Sequence, residues 1–176
     1  MAILPIIIAP DPRLKLVSRP VEKVDAEVAR LMDNMLETMY DAPGIGLAAP
    51  QVGVTKRVIV IDIARQDKGE APNPLKMANP QLVATSEDAK SWDEGCLSLP
   101  EHYAEVLRPS RVAVRYLDER NKRCEIEADG VLAVCLQHEM DQLDGILFVD
   151  HVTALKRNMI LRKLRKAKKL GTLAAE

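Results

Sequence analysis

The sequence has few aromatic residues and no excess of either charge. One Trp, one Phe and three Tyr make up 3% of the 176 residues, too few for a nucleic-acid surface built on stacked aromatic rings. Lys plus Arg number 25 and Asp plus Glu number 26, which leaves a formal net charge of −1. This balance excludes a general polyanion binder, although a local basic patch can still exist.

Cysteines and long apolar runs are also scarce. Cys96, Cys124 and Cys135 are too few, and odd in number, for a disulfide framework, which favours reduced thiols in the cytoplasm. No apolar run approaches the roughly 18 residues needed to cross a bilayer. The opening run 3–8 is short, contains a proline and follows no basic residue, so it predicts a strand or an extended arm rather than a signal peptide.

Hydrophobic periodicity indicates one domain of the α+β class. Apolar residues at helical spacing predict helices over 25–40, 131–143 and 154–170. Proline-rich and turn-rich segments predict an extended arm over 1–20 and a surface loop over 64–74. Strands are predicted over 57–63, 75–84, 86–93, 103–108, 111–118 and 122–128, with a short one over 146–149. Many short strands around two interior helices are typical of an α+β fold rather than of βαβ units.

Two segments contain glycines that would let the backbone approach a ligand. The first is GIGLAAPQ over 44–51, whose last residue, Gln51, can both donate and accept hydrogen bonds. A tight turn without any ligand also explains this segment. The second is EGCLSLP over 94–100, in which Cys96 follows a glycine and precedes a turn. That cysteine can be a nucleophile, a metal ligand or a buried small residue.

A third segment, QHEMDQLDG over 137–145, lies on the second predicted helix. Metal hydrolases commonly carry HExxH, in which two histidines one turn apart bind a metal and the glutamate handles a proton. His138 and Glu139 match this pattern, but Gln142 occupies the position of the second histidine. A carboxamide oxygen is a weaker ligand than imidazole. The segment alone leaves two interpretations open, a damaged metal site and a core His–Glu pair.

Together, in this order and spacing, the three segments resemble the peptide deformylase family. Its motifs are GxGxAAxQ, EGCxS and HExDH, and the chain carries GIGLAAPQ at 44–51, EGCLS at 94–98 and HEMDQ at 138–142. The first two match in full and the third in all but its last residue. The resemblance spans about 3–170. It implies mixed antiparallel sheets around a central helix that carries the metal site, followed by a C-terminal helix.

The resemblance also implies an activity and a cofactor. Such an enzyme removes the N-formyl group from the initiator methionine of nascent chains and releases formate. One divalent metal ion is expected, Fe²⁺ in the cell, with Zn²⁺, Ni²⁺ or Co²⁺ as substitutes. Its ligands would be Cys96, His138 and, in place of a histidine, Gln142.

Further roles carry over by position from the same motifs. Glu139 would act as general base and then as general acid. The side-chain amide of Gln51 and the backbone N–H of Leu97 would stabilise the oxyanion. The backbone of Gly46 would pair with the extended peptide. The slot for the methionine side chain would be lined by Ile45, Trp92, Val131, Val134, Cys135 and His138.

Gln142 is the one departure from the three motifs, and three explanations compete. Gln142 ligates through its side-chain oxygen in a working but altered site, or the chain has lost activity and only binds peptide N-termini, or an ordinary deformylase has been deliberately substituted. A fourth interpretation, a thiol hydrolase that uses Cys96 and His138 without metal, predicts activity that resists chelators.

The remaining candidate residues are expected to play no catalytic part. His102 is expected near the cleft but exposed to solvent, and His151 is expected to be structural. Asp141 is three residues after His138 and is expected to pair with Arg108 rather than bind metal. Cys124 matches no motif and is expected to be a plain strand thiol.

The C-terminal segment 153–176, which we separate from the main unit 1–152 of the same domain, is strongly basic. Between 156 and 169 it has no acidic residue. A solvated helix, a contact with RNA and, more distantly, a membrane-surface helix all fit this charge. The resemblance favours docking on the ribosome, and we expect a monomer in the cytoplasm. The basic residues are Lys156, Arg157, Arg162, Lys163, Arg165, Lys166, Lys168 and Lys169.

Overall fold

The computed structural model describes residues 1–171, which form three α-helices and seven strands. The helices are α1 (Ala26–Asp41), α2 (Gly130–Leu143) and α3 (Ala154–Lys169). The strands are β1 (Gly46–Ala48), β2 (Val58–Ile61), β3 (Leu75–Thr85), β4 (Ala89–Cys96), β5 (Leu99–Pro109), β6 (Arg111–Leu117) and β7 (Arg123–Asp129). Short 3₁₀ helices lie at Pro12–Lys15, Ala49–Val52, Gln66–Lys68 and Phe148–His151.

The strands form two antiparallel sheets. One has five strands in the order β1-β2-β3-β6-β7, and the other is the β4–β5 hairpin. With the three helices, these sheets form the α+β fold that the sequence predicts. In residues 1–171 no helix is both long and apolar enough to cross a membrane.

Strand β2 explains how two helices share one sheet. Its four residues are all buried, and successive side chains of a strand point to opposite faces. Val58 and Val60 pack with the core that contains α1, whereas Ile59 and Ile61 pack with the core that contains α2. The five-stranded sheet is therefore covered on both faces here, and α2 lies in the interior.

Helix α1 forms where the sequence predicts it. The Asp25 side chain accepts a hydrogen bond from the Val28 N–H at 2.9 Å and caps the first turn. Met32, Met35 and Met39 follow at helical spacing and are fully buried. The helix ends just before Pro43, which places the GIGLAAPQ segment at the edge of the sheet as β1 and the following 3₁₀ turn.

Helix α2 ends at a turn that requires glycine. Gly145 has φ +74, and a Cβ there would lie 2.4 Å from the backbone oxygen of Lys15. Both the left-handed backbone and the close approach exclude other residues. The predicted helix 131–143 is confirmed with one added residue at its start.

Three sequence predictions differ from the structure. No strand forms over 146–149, where the chain instead enters the 3₁₀ helix Phe148–His151. The strand predicted over 86–93 lies three residues later, and the one predicted over 103–108 already begins at Leu99. The last two differences share one cause, because Leu97 and Ser98 alone connect β4 to β5 and the EGCLSLP segment is the tip of a hairpin.

The N-terminal arm and α3 pack against the β4–β5 hairpin. The arm is extended, as predicted, and its Ile7 and Ala9 N–H groups donate to the carbonyls of Gln51 and Ser98 at 2.7 and 2.8 Å. Helix α3 buries Ile160 and Leu164 in the same cluster. The division at 152/153 stays a prediction, and the tail over 172–176 lies outside the described residues.

Candidate active site

A cleft of about 560 Å³ opens between the GIGLAAPQ segment, the tip of the β4–β5 hairpin and one face of α2. At its base lie Cys96, His138 and Glu139, and Leu97 lines its wall. The structure also brings together there all of the residues predicted to bind the substrate. These are Ile45, Gly46, Trp92, Val131, Val134 and Cys135.

Two buried amides lie behind the cleft and contact the cysteine. The Nε2 atoms of Gln51 and Gln142 are each 3.5 Å from the Sγ of Cys96. The Ala48 N–H donates to the Gln51 Oε1 at 2.9 Å, which fixes the amide so that its NH₂ points away from Ala48. That NH₂ also donates to the Ser98 Oγ at 3.0 Å. Gln51 and Gln142 therefore belong to the same cluster as Cys96 and His138.

The imidazole of His138 is held by a buried carboxylate. Its Nδ1 lies 2.9 Å from the Glu94 Oε1, so Nε2 is the nitrogen that remains for another contact. Arg108 in turn donates to both oxygens of Glu94, at 2.5 and 2.9 Å. The Phe148 ring stacks near the imidazole, with ring centroids 6.2 Å apart. These contacts fix the orientation of the histidine ring.

A second carboxylate extends this ion-pair chain. Arg108 also donates to the Asp141 Oδ2 at 2.9 Å, and the His151 Nε2 lies 2.8 Å from the same oxygen. The predicted Asp141–Arg108 pair is confirmed, whereas the structural role of His151 stays a prediction that its contact with Asp141 supports. The sequence analysis did not identify Glu94 as a site residue. Its position two residues before Cys96 in the EGCLS motif was the feature that could have indicated a role in the site.

The ion-pair chain gives a test of stability. Glu94→Gln leaves the buried Arg108 with a weakened partner, and breaking a buried ion pair by removing one partner costs about 3 kcal/mol. We expect a loss of this size in the free energy of unfolding, measured by urea denaturation. Glu125→Gln, which breaks the exposed Arg115–Glu125 pair, should cost at most about 0.5 kcal/mol. Equal losses in the two variants would show that the buried chain adds no special stability.

Electrostatics at the base of the cleft favour unusual protonation states. Burial raises the pKa of Glu139 to about 7. For Glu94, burial raises the pKa, but the hydrogen bonds from His138 and Arg108 outweigh it and the pKa is lowered. For His138, burial lowers the pKa, but hydrogen bonds with Cys96 and Glu94 raise it well above its usual value. Among Glu94, His138 and Glu139, Glu94 is therefore the residue that stays negatively charged.

Two acceptor atoms at this point have no hydrogen-bond partner. They are the Oε1 of Gln142 and the Oε2 of Glu139, both fully buried. Unsatisfied buried acceptors are uncommon in proteins and often mark an ion or a water. In residues 1–171 no three His, Cys, Asp or Glu side chains could hold a metal ion together. A metal here would need the amide oxygen of Gln142 beside Cys96 and His138, and the unpaired Oε1 fits that requirement.

Gly46 brings the backbone against the site. A Cβ at this position would lie 2.9 Å from both the Cys135 Sγ and the Glu139 Oε1. Only glycine permits this approach without displacing the carboxylate. Burial, together with the charges of Glu139 and Glu94, raises the pKa of Cys135 well above its usual value. Cys135 therefore stays a neutral thiol in the cleft wall, as expected.

Two further expectations can be compared with the structure. His102 lies at the cleft, as predicted, but the prediction of solvent exposure is wrong, because the residue is half-buried at the start of β5. Burial and the positive charge of Lys163 lower its pKa, so it is neutral at physiological pH. Cys124 lies half-buried on β7, away from the cleft, and its thiol contacts Asp118 at 3.6 Å.

Comparisons with known proteins agree with one another. A family model described as polypeptide deformylase matches residues 3–158. Peptide deformylases of Methylocella silvestris and Rhizobium meliloti are 58% and 53% identical to the chain, covering 97% and 96% of it and 87% and 96% of their own lengths.

Solved structures are similar to the chain over most of its length. A peptide deformylase crystal structure from Ehrlichia chaffeensis superposes with a TM-score of 0.92 at 38% identity, and covers 98% of this chain and 100% of its own. A second structure from that organism, in complex with actinonin, has a TM-score of 0.89 at 42% identity, over 94% and 98%.

Proposed function

The chain belongs to the polypeptide deformylase family, and we propose that it removes the N-formyl group from the initiator methionine of nascent polypeptides and releases formate. The carrying observation is the base of the cleft, where the unpaired Oε2 of Glu139 lies beside Cys96 and His138. The alternative of an inactive peptide binder gains no support from relatives that are named as the enzyme and are more than half identical.

The cofactor is one divalent metal ion, and Fe²⁺ is our proposal for the cell, with Zn²⁺, Ni²⁺ or Co²⁺ as substitutes. Cys96, His138 and Gln142 would hold it, the last through Oε1. A bound cation supplies Lewis acidity, which polarises the formyl carbonyl and acidifies water. Thiolate and imidazole suit such metals, whereas the neutral amide oxygen is the weak member of the set.

Proton transfer is the role of Glu139. Its carboxylate accepts a proton from the attacking water and passes it to the amide nitrogen that leaves with the peptide. Burial, which raises its pKa to about 7, makes both steps accessible near neutral pH. The unpaired Oε2 is the atom available to the water.

The oxyanion is stabilised by Gln51 and by the N–H of Leu97. The Ala48 contact fixes the Gln51 amide with its NH₂ on the Cys96 side, and donation to the oxyanion would replace one of the two contacts that this NH₂ makes, with Cys96 or with Ser98. Each such donor is worth about 3–4 kcal/mol in the transition state. The backbone of Gly46 pairs with the extended peptide. The methionine side chain enters an apolar slot, which is lined by Ile45, Trp92, Val131, Val134 and Cys135.

Formate release from formyl-Met-Ala-Ser tests this proposal. The protein is loaded anaerobically with Fe²⁺ or Ni²⁺, its metal content is measured, and acetyl-Met-Ala-Ser serves as the control substrate. We expect formate from the formyl peptide only, and loss of the reaction after chelation. Metal-loaded protein that releases no formate would refute the enzymatic function. Activity that survives complete chelation would instead assign the chemistry to the Cys96 thiol.

We propose the ribosome as a further partner, bound through α3. The protein would act as a monomer in the cytoplasm. The helix buries only Ile160 and Leu164, and the side chains of Arg162, Lys166 and Lys169 are exposed. A basic face with no acidic residue suits the phosphate backbone of RNA.

Charge reversal on α3 tests the partner. Arg162→Glu, Lys166→Glu and Lys169→Glu combined should weaken ribosome cosedimentation at least tenfold and flatten its dependence on salt. Turnover of formyl-Met-Ala-Ser should not change. The matched control reverses Lys23, Lys90 and Arg120, which are also exposed but lie outside α3. Equal losses in both triple variants would mean that net charge, and not α3, drives the association. Binding of anionic vesicles but not ribosomes would favour a membrane-surface role.

A further inference from the structure

A second cavity of about 540 Å³ lies beside the active-site cleft. The N-terminal arm forms one wall, with Ile3, Leu4 and Ile6, and the end of α1 and the tip of the β4–β5 hairpin form the other. Most of its lining side chains are apolar. We call it the arm groove.

The arm groove borders the cleft. Ala42, Leu97 and Pro100 line both cavities, so these three residues form the boundary between the groove and the site. Leu97 contributes its backbone N–H to the oxyanion in our proposal and its side chain to this shared boundary.

Two hydrogen bonds hold one wall of the groove in place. The Leu4 N–H donates to the Thr38 Oγ1 of α1 at 2.8 Å, and the Ile7 N–H donates to the Gln51 carbonyl at 2.7 Å. These bonds hold the arm against the body of the protein. Ile3 nevertheless keeps about half of its surface exposed, at 54%, and so offers apolar area that a ligand can cover.

We propose that the arm groove binds an apolar side chain of the nascent peptide, a few residues downstream of the formylated methionine. The inference rests on the proposed function, because that function places the formyl end at Glu139 and Cys96. An extended peptide advances about 3.3 Å per residue, so the residues after the methionine must leave the cleft. The apolar boundary of Ala42, Leu97 and Pro100, which faces both cavities, is the path that we propose for them. The affinity of the enzyme for a nascent peptide therefore depends on residues beyond the first few of that peptide.

Binding of formylated peptides to the metal-loaded Glu139→Gln protein tests the groove without turnover. The probes are formyl-Met-Ala-Ser and hexapeptides that extend it with serines or with one leucine at the fourth, fifth or sixth position. We expect leucine at one of these positions to lower Kd roughly five- to tenfold relative to the serine hexapeptide, the effect of burying one such side chain in part. Calorimetry measures each Kd.

Variants of the N-terminal arm then show whether the leucine effect arises in the arm groove. Adding Ile3→Gln should remove the leucine effect and leave the Kd of the tripeptide unchanged. Val17→Gln is the matched control, since Val17 is similarly exposed, at 65%, and lines neither cavity. A leucine effect that survives Ile3→Gln, or no leucine effect at any position, would overturn the proposal. Dimerisation that Ile3→Gln abolishes, without a leucine effect, would assign the groove to a second copy of the chain.

The two proposals fail separately. Absence of formate release by the parent protein refutes the deformylase function, while the peptide Kd values still decide the groove. Normal formate release without any leucine effect refutes only the groove.

Discussion

Replacing Gln142 with histidine is expected to tighten metal binding and to raise kcat/KM by at least 10–100-fold. Loss of a partner that merely orients a ligand commonly costs that much, and in our proposal a direct ligand would change from an amide oxygen to an imidazole nitrogen. Gln142 is 2% exposed and its Nε2 already lies 3.5 Å from the Cys96 Sγ. A histidine at this position would therefore be held next to the thiol.

Metal binding can be measured apart from activity. The parent and Gln142→His proteins are dialysed against graded chelator, and metal content is read by mass spectrometry. The Co²⁺ forms give a further signature, because a nitrogen ligand in place of oxygen shifts the d–d bands while the thiolate charge-transfer band remains. Gln142→Leu is the control, which removes the donor at similar size and should lose most of the metal.

Equal metal affinity in the parent and Gln142→His would contradict this expectation. It would mean that the amide oxygen binds as well as imidazole does, or that another group completes the site. A Gln142→Leu protein that keeps its metal would show that Gln142 is no ligand at all.

Replacing Glu139 with glutamine should lower kcat by about 10²–10⁴-fold, the usual contribution of a positioned general acid and base. The change keeps the size of the side chain and removes only its ability to accept and return a proton. Metal content should not change, because Glu139 is not among the ligands that we propose, Cys96, His138 and Gln142. Formate release under saturating peptide, with metal content measured on the same sample, gives the comparison.

The same variant has a second readout, in thermal stability. The Oε2 of Glu139 is buried and unpaired, and burying a charge without a partner is costly. Glu139→Gln should therefore keep the melting temperature or raise it. A variant that is less stable as well as inactive would indicate that Glu139 stabilises the fold rather than transferring the proton. Retention of more than a tenth of the parent kcat would assign proton transfer to another group.

The helices could be predicted because their signals are local, whereas the cleft residues are predicted only through the resemblance of three motifs to one family. Met32, Met35 and Met39 repeat at helical spacing, and the three motifs each lie within one short segment. The ends of the hairpin strands could not be predicted in the same way, because Cys96 and Leu99 are paired across a two-residue connection that reads as an ordinary loop. Segment 146–149 is apolar enough for a strand, but the Asp150 carboxylate accepts from the Leu147 N–H and starts a 3₁₀ turn instead.

The Arg108–Glu94 ion pair behind His138 could not be predicted for a different reason, although the Arg108–Asp141 pair was expected. In the hairpin Arg108 stands opposite Lys90, not opposite Glu94, so strand register alone would not join them. The long arginine side chain reaches along the strand to Glu94 and, on its other side, to Asp141 on α2. This contact between Arg108, Glu94 and Asp141 is possible only because α2 packs against the hairpin. No local sequence pattern predicts that packing.

The chain from Glu94 through Arg108 and Asp141 to His151 has an evolutionary consequence. It ties the β4–β5 hairpin, α2 and the 3₁₀ helix before α3 together through hydrogen bonds and ion pairs that do not involve Gln142. Histidine and glutamine codons differ by a single base. A lineage can therefore cross between a strong and a weak third ligand in one mutational step, in either direction, while the scaffold around that position stays as it is.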